Sequence, residues 1–454
     1  MSTTIAIDRE SLIDWYRRNR RRSEAIFDLI EPSAYYSRPI ALRNPIVFYE
    51  GHLPAFSVIA FLRRGLGHPP VDARLEQLFA RGIDPESEES AVPRSGASTM
   101  WPSRDEVRAF ARACDEAVLS ALNKDDLPIE GLYTALEHEA MHQETLLYMW
   151  HRLPYDQKHR RGQTPIGADT SVASRSASTD LLHSSSPSSP TSWGQTPIRI
   201  PAGIATLGAE RDEAIFGWDN EFDAHRVTVA AFEIDPVPVT NADFLAFVDA
   251  GGYGDESLWD AEGWAWVQQE RVEHPAFWVR RDDEWFWRGM FREVPLPPAW
   301  PVFVSQAEAS AYARWKGRRL MTEPEFHRAA YGTPEGDERP QPWGDEPPDT
   351  TRGVIDVAAY EPAPVGSFPA GASAWGVHDL VGTGWEWTST IFGPFPGFTP
   401  MASYPEYSAD FFDGQHYVMK GASSATAREL IRRSFRNWFR GNYPYVYAKF
   451  RTAR

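Results

Sequence analysis

The chain has almost no cysteine, no uninterrupted apolar stretch of membrane length and a shortage of basic charge. Cys114 is the only cysteine, so no disulfide can form within the chain, and a reducing compartment is expected. No apolar run reaches about 18 residues. The opening segment MSTTIAIDRESLIDWYRRNRRR is charged and lacks the apolar centre of a secretory signal. A cytoplasmic location without a membrane span is therefore expected. Lysine and arginine number 46 against 63 aspartate and glutamate, a net charge of −17. Nucleic acids and anionic membranes require a basic face, so neither is expected as a partner.

Aromatic residues, by contrast, are abundant: 18 Trp, 17 Tyr and 25 Phe. Such residues fill irregular cores, and their faces also host cations in shaped pockets. A chain of 454 residues exceeds one ordinary core, so two or three domains are expected. Residues 1–155 read as a helical domain, since 11–30, 104–122 and 131–153 repeat apolar residues at three- and four-residue spacing. The count suits a four-helix bundle, an architecture that builds metal sites from inward-facing side chains. Residues 156–196 are Ser-rich with Pro and read as a linker or surface loop; the pentapeptide GQTPI occurs twice, at 162–166 and 194–198. From 197 to 454 short strand-like runs (226–235, 416–422) alternate with Gly-, Pro- and Trp-rich loops. Two short helices are expected there, at 240–251 and 305–317, capped by Thr240 and Ser305. This is an α+β domain dominated by loops, which usually carry binding.

The segment LEHEAMHQE places His138 and His142 four residues apart. On a helix that spacing puts both imidazoles on one face with Cβ atoms about 6 Å apart, close enough to share a metal. Glu144 or Glu139 is a candidate to orient a ligand. His52, in FYEGHLPAF near the start of an expected helix, is the candidate third ligand, with His151 and His68 as rivals. Three neutral nitrogens without a thiolate suit Fe(II), Zn(II) or Ni(II), and spacing does not choose among them.

GHLPAF (51–56) and HEAMHQE (138–144) resemble the DinB-like half of the ergothioneine/selenoneine synthase family. PVTNADFLAFV (238–248), RRLMTEPEFHRAA (318–330), PWGDEPP (342–348), GTGWEWT (382–388) and SFRNWFRGNYPYVYAKFRTAR (434–454) resemble its formylglycine-generating-enzyme-like half. Together these cover the chain apart from the Ser-rich stretch. The resemblance implies a DinB-like four-helix bundle followed by a C-type-lectin-like α+β domain. It also implies that His52, His138 and His142 hold Fe(II) in a three-histidine facial site, which leaves room for an imidazole, a chalcogen donor and O2. The family's assisting tyrosine falls in YPEYSADFF (404–412), making Tyr404 the candidate with Tyr407 beside it. Its substrate, hercynine (Nα-trimethylhistidine), is held partly through the RNW segment, here Arg436, Asn437 and Trp438. A quaternary ammonium offers no hydrogen bond, so aromatic faces must recognise it. Trp438, Phe439 and Tyr407 are the candidates for that cage, and Asn437 for the carboxylate. Formylglycine-generating chemistry is not expected, because the C-terminal half has no cysteine.

Two departures bear on the donor. Where ergothioneine synthases of mycobacterial type carry a substrate-touching glutamine before the second helix histidine, this chain has Met141. Where RNW is followed in those enzymes by an aspartate that engages γ-glutamylcysteine, it has Phe439 and then Arg440. Exchanging a carboxylate for a benzyl group removes a partner for an ammonium and leaves an apolar wall. A selenosugar donor, as in the selenoneine branch, is therefore expected, with Arg440, Asn442, Tyr443 and Tyr445 suited to a sugar and Arg94 a further donor contact. Three other readings stay open: a thiol-using ergothioneine-type synthase, a zinc- or nickel-dependent DinB-type thiol transferase with a ligand-binding C-terminal module, and a non-catalytic binding protein with a structural metal.

Overall fold

A computed structural model describes residues 8–80, 101–124, 126–159 and 196–454. Arg94 and the Ser-rich stretch, apart from residues 156–159 and 196, lie outside the described residues. The chain divides into two units, Met1–Gln163 with Met401–Pro405, and Thr164–Pro400 with Glu406–Arg454. The first is helical: α1 (Arg9–Phe27), α2 (Ile46–Ser57), α3 (Ala73–Phe79), α4 (Arg104–Ala121) and α5 (Ile129–Arg152). Side-chain oxygens of Asp8, Asp72 and Ser103 accept from otherwise orphaned N–H groups at the starts of α1, α3 and α4. α1 packs along α5, while α2 contacts α3, α4 and α5. Four long helices thus form the bundle and α3 is a short addition.

Every residue of α2 is buried. A helix apolar on all sides is one that other helices surround. Pro54 lies inside it and cannot donate to the preceding turn. Beyond Ser57 the helix continues through wider, π-type turns over Val58–Gly65, a distortion often found beside functional sites. Taken together, Ile46–Gly65 spans 20 residues at mean hydropathy 1.2, enough to cross a membrane by length and composition, with 89% of that window buried. This is an average over the segment and not an uninterrupted apolar run of that length. Glu50, His52, Arg63 and Arg64 interrupt the run in sequence, yet on average it is apolar because it is the core helix of the bundle. His52 sits in the middle of α2 rather than near a helix start.

Gly131, near the start of α5, lets the widened turns approach to backbone contact: a Cβ there would lie 2.6 Å from the Ala60 carbonyl oxygen.

The second unit holds strands β1 (Ile198–Ile200), β2 (Gly203–Leu207), β3 (His225–Val229), β4 (Phe232–Ile234), β5 (Trp278–Arg281), β6 (Glu284–Arg288), β7 (Glu293–Pro295), β8 (Arg319–Leu320), β9 (Gly384–Ile391), β10 (His416–Ala422), β11 (Asn437–Arg440), β12 (Ala448–Lys449) and β13 (Thr452–Ala453). They form sheets ordered β1-β4-β13-β8, β11-β10-β9-β12, β2-β3 and β5-β6-β7. Helices α6 (Asn241–Asp249), α7 (Ala261–Glu270), α8 (Gln306–Trp315) and α9 (Glu323–Tyr331) complete it. Thr240 and Ser305 cap α6 and α8 as expected, each in a reciprocal capping box with the acid three residues on, Asp243 and Glu308. An apolar core links the first sheet to α9 through Ile200, Ile234, Phe326, Ala329 and Ala453. In the second sheet Glu386 is fully buried between Lys449, at 3.0 Å, and Arg451, at 2.9 Å. Burial pushes its pKa up, but the two cations outweigh that and hold it below the usual carboxylate range. Removing one member of such a group strands the others without a partner.

Gly131→Ala is expected to destabilise the helical unit by about 1–3 kcal/mol, since the obstacle is backbone and cannot swing aside. A thermal scan of the variant checks this, and an unchanged helical transition would show that the contact relaxes.

Candidate metal centre

α2 supplies His52, and α5 supplies His138 and His142. One ring nitrogen from each of the three lies within 4.8 Å of the others. His52 is fully buried and His138 nearly so. The rings meet at centroid separations of 5.0 Å (His52 to His138), 5.1 Å (His52 to His142) and 4.4 Å (His138 to His142).

Each ring is held by its surroundings. The carbonyl oxygen of Phe79, the last residue of α3, is 2.7 Å from His52 Nδ1. That carbonyl can only accept, so Nδ1 carries the proton and Nε2 keeps its lone pair. α3 comes this close because residue 51 is glycine: a Cβ there would meet the Phe79 ring at 2.3 Å. Phe48 stacks on the His52 ring at 5.0 Å. Phe56, four residues after His52, lies parallel to the His138 ring at 3.5 Å.

Three buried nitrogens in this cluster, His52 Nε2, His138 Nδ1 and His142 Nδ1, have no hydrogen-bond partner. Buried polar atoms are normally satisfied, and leaving three unsatisfied in one place costs several kcal/mol. A metal ion would satisfy such a site, so the residues fit one. Burial pushes the His52 pKa down to about 4, opposed in part by the bond to Phe79. Burial also drives His138 and His142 well below the ordinary imidazole range. Their neighbouring histidines add to this, and the Arg43 guanidinium presses further on His142. All three are neutral near pH 7, the form that ligates metals.

The remaining candidates are distributed as follows. The segment Met401–Pro405 belongs to the helical unit, and there the Tyr404 ring lies 5.0 Å from Phe56 and 6.0 Å from His138. Tyr407 belongs to the second unit, where it stacks on Trp218 at 3.9 Å. Met141 is partly buried on α5 between the two histidines. The rival histidines take no part in the cluster: His68 Nε2 is 2.9 Å from Lys124 Nζ, and His151 lies in the last turn of α5. Glu139 does not orient a histidine, because Arg20 at 2.8 Å and Ser23 at 2.6 Å turn it toward α1.

β11 carries Asn437–Arg440 of the RNWFR segment, with Trp438 opposite Val418 and Phe439 opposite Tyr417 on β10. Side chains alternate along a strand, so Trp438 and Phe439 face opposite ways. Trp438 stacks on Phe392 at 4.1 Å and meets the Tyr407 ring at 5.1 Å. Phe439 stacks instead on Tyr443, also at 5.1 Å, with Tyr445 edge-on to Tyr443. The expected grouping of Trp438, Phe439 and Tyr407 is corrected in one respect: Trp438 meets Tyr407, while Phe439 belongs to a separate aromatic group, because strand alternation divides them. The Asn437 side-chain oxygen accepts from the Trp438 N–H at 2.9 Å, which leaves its NH2 group as a donor. Arg436 is nearly fully buried against Glu323, at 3.0 and 3.1 Å, and over the Phe395 ring at 4.0 Å. It secures the segment rather than a ligand.

Sequence reasoning passed over Phe56 and the Phe79 carbonyl. Phe56 has a readable signal, the four-residue spacing from His52. A backbone carbonyl leaves none.

Residues 16–163 match the DinB superfamily, and residues 184–454 match the family described as sulfatase-modifying factor enzyme 1-like domain. The protein is thus of the class that joins a DinB helical bundle, here bearing three clustered histidines, to a sulfatase-modifying-factor domain. It is 34% identical over 432 residues to a hercynine oxygenase of Mycolicibacterium thermoresistibile, covering 93% of this chain and 89% of that one. It is 34% identical over 451 residues to the hercynine oxygenase of Mycolicibacterium smegmatis, covering 95% and 96%. Ergothioneine biosynthesis protein 1 of Schizosaccharomyces pombe is 29% identical over 92% of this chain and 53% of its own length. The chain belongs to the hercynine oxygenase family.

His138→Ala is expected to lose bound metal and turnover together, with the fold retained; elemental analysis of the purified variant measures the first. Full metal content in that variant would remove His138 from the site.

Proposed function

We propose that the protein is an iron-dependent enzyme that uses O2 to join a chalcogen to the imidazole C2 of hercynine. The observation that carries this reading is the group of three neutral imidazoles, buried at His52 and His138 and partly buried at His142, each with a ring nitrogen within 4.8 Å of the others. It gains weight from membership of the hercynine oxygenase family. Fe(II) suits an uncharged all-nitrogen donor set and, when bound, would supply the exchange of electrons with oxygen that side chains lack.

The chain's own residues bind, orient and move protons. Forming the new bond removes the C2 proton and the chalcogen proton and releases two electrons, which O2 takes up with those protons to leave as hydrogen peroxide. If the chalcogen leaves as its oxide, one oxygen atom stays on it and the other departs as water with the two protons. Tyr404, packed against His138 and Phe56, is the candidate to pass a proton through its phenol oxygen. Phe392 covers one face of Trp438. The other face and Tyr407 are proposed to receive the trimethylammonium, and the Asn437 NH2 group the carboxylate. The buried lone cysteine, Cys114, supports a reducing compartment, and we assign the protein to the cytoplasm with small molecules as its partners.

For the donor we propose a selenosugar. Support comes from the stacked Phe439–Tyr443 pair with Tyr445 beside it, an aromatic platform of the kind that sugar faces pack on, with Arg440 and Asn442 following Phe439 in sequence. A thiol donor, γ-glutamylcysteine or cysteine, is the second reading. It is supported by 29% identity to a relative named for the biosynthesis of ergothioneine, a sulfur compound.

The test is a mass-spectrometric assay of Fe(II)-loaded protein in air, with hercynine and one donor per reaction. A selenium adduct from the selenosugar alone is expected; a conjugate from thiols alone would overturn the donor assignment. Activity with zinc and without oxygen consumption would overturn the oxidative reading altogether. Phe439→Asp is expected to raise the use of γ-glutamylcysteine relative to the selenosugar by about tenfold, the scale of one buried charged contact. An unchanged ratio would place donor selection elsewhere.

A further inference from the structure

Besides its two clustered histidines, α5 carries residues that hold another segment of the chain. Glu130, which is exposed, Thr134, His138 and His142 recur every four residues, about 6 Å apart along the axis. The first two hold Ser403. Glu130 Oε1 accepts from the Ser403 backbone N–H at 2.7 Å, and the hydroxyls of Thr134 and Ser403 share a hydrogen bond of 2.8 Å. Thr134 is fully buried and Ser403 nearly so, which makes this a strongly specified pair rather than a surface contact. From the widened turns that continue α2, Arg64 Nη1 donates to the Ser403 carbonyl oxygen at 2.6 Å. The N–H, the hydroxyl and the carbonyl of one residue are all taken, and the residue after it is Tyr404.

We infer that Glu130, Thr134, Arg64 and Ser403 form a clamp whose role is to set Tyr404 in register with the histidine cluster. The inference rests on the reading of Tyr404 given above. Both helices that supply histidines also supply clamp residues. Thr134 lies one turn before His138, so a shift of α5 carries histidine and tyrosine together. The clamp fixes the backbone on one side of Tyr404, while Phe56, itself stacked on His138, receives its ring. These are positioning residues; none is assigned contact with substrate.

Two measurements on the full-length, iron-loaded protein separate the clamp from the reading it rests on. With 3-fluorotyrosine incorporated at position 404, one fluorine resonance displaced from that of free fluorotyrosine is expected. Thr134→Val replaces the hydroxyl with a methyl group and Ser403→Ala removes one, and each should move the line toward the free value, with Thr134→Ser restoring it. A line unmoved by both overturns the clamp. In turnover, Tyr404→Phe should lower kcat by about tenfold or more. Thr134→Val should lower kcat by about tenfold with KM for hercynine and iron content unchanged, and should have no further effect in the Tyr404→Phe background. Additive losses, or iron lost from Thr134→Val, would show that Thr134 supports the bundle and overturn the proposal. Full turnover in Tyr404→Phe with a displaced fluorine line overturns the role of the tyrosine and leaves the clamp standing.

Discussion

Three imidazoles that face one another with unpartnered nitrogens set the terms for the helical unit. Water would ordinarily satisfy them, and packing excludes it from His52 entirely. Protonation would relieve the lone pairs, but a charge there is opposed by burial and by the neighbouring rings. The bundle therefore gathers three neutral imidazoles in one place, a donor group suited to a metal ion. Such a group persists only where the surrounding packing over-determines it. A fully buried α2, a glycine that admits the Phe79 ring, and Phe56 pressed flat on His138 are the visible forms of that constraint.

How much of this was legible in the sequence follows from the range of each signal. The HxxxH pair is local and periodic, so helix geometry alone predicts that His138 and His142 share a face. The caps at Thr240 and Ser305 are equally local and stand as read. His52 was legible only as a histidine beside an apolar stretch. Its mid-helix position was not, because Pro54 reads as a helix boundary and here lies inside a helix that surrounding helices sustain. The membrane-length apolarity of Ile46–Gly65 was missed for a related reason: scattered polar residues hide a high average.

The C-terminal strand teaches the complementary lesson. Asn437, Trp438, Phe439 and Arg440 are adjacent in sequence, and adjacency suggested a shared pocket. A strand turns neighbours to opposite faces, so Trp438 joins Phe392 and Tyr407 while Phe439 joins Tyr443. The two halves of the motif are thereby free to serve different ligands. A change at 439 alters one aromatic group without disturbing the stacking of the other. Arg436 anchors the segment through Glu323, and that dependence on a residue more than a hundred positions away has no local signature.

The acceptor that fixes the His52 ring is the main-chain oxygen of Phe79. Every residue has a main-chain oxygen, so no single substitution at position 79 deletes this one. The basicity of His52 is in that sense sheltered from the genetic code's commonest errors. To retune it, a lineage must reposition the end of α3, by lengthening or shortening the connection between Gly65 and Asp72 or by filling the space at Gly51. Metal affinity in descendants of this scaffold is thus expected to drift in steps, through insertions, deletions or a side chain gained at Gly51, rather than by exchange of the residue that supplies the acceptor.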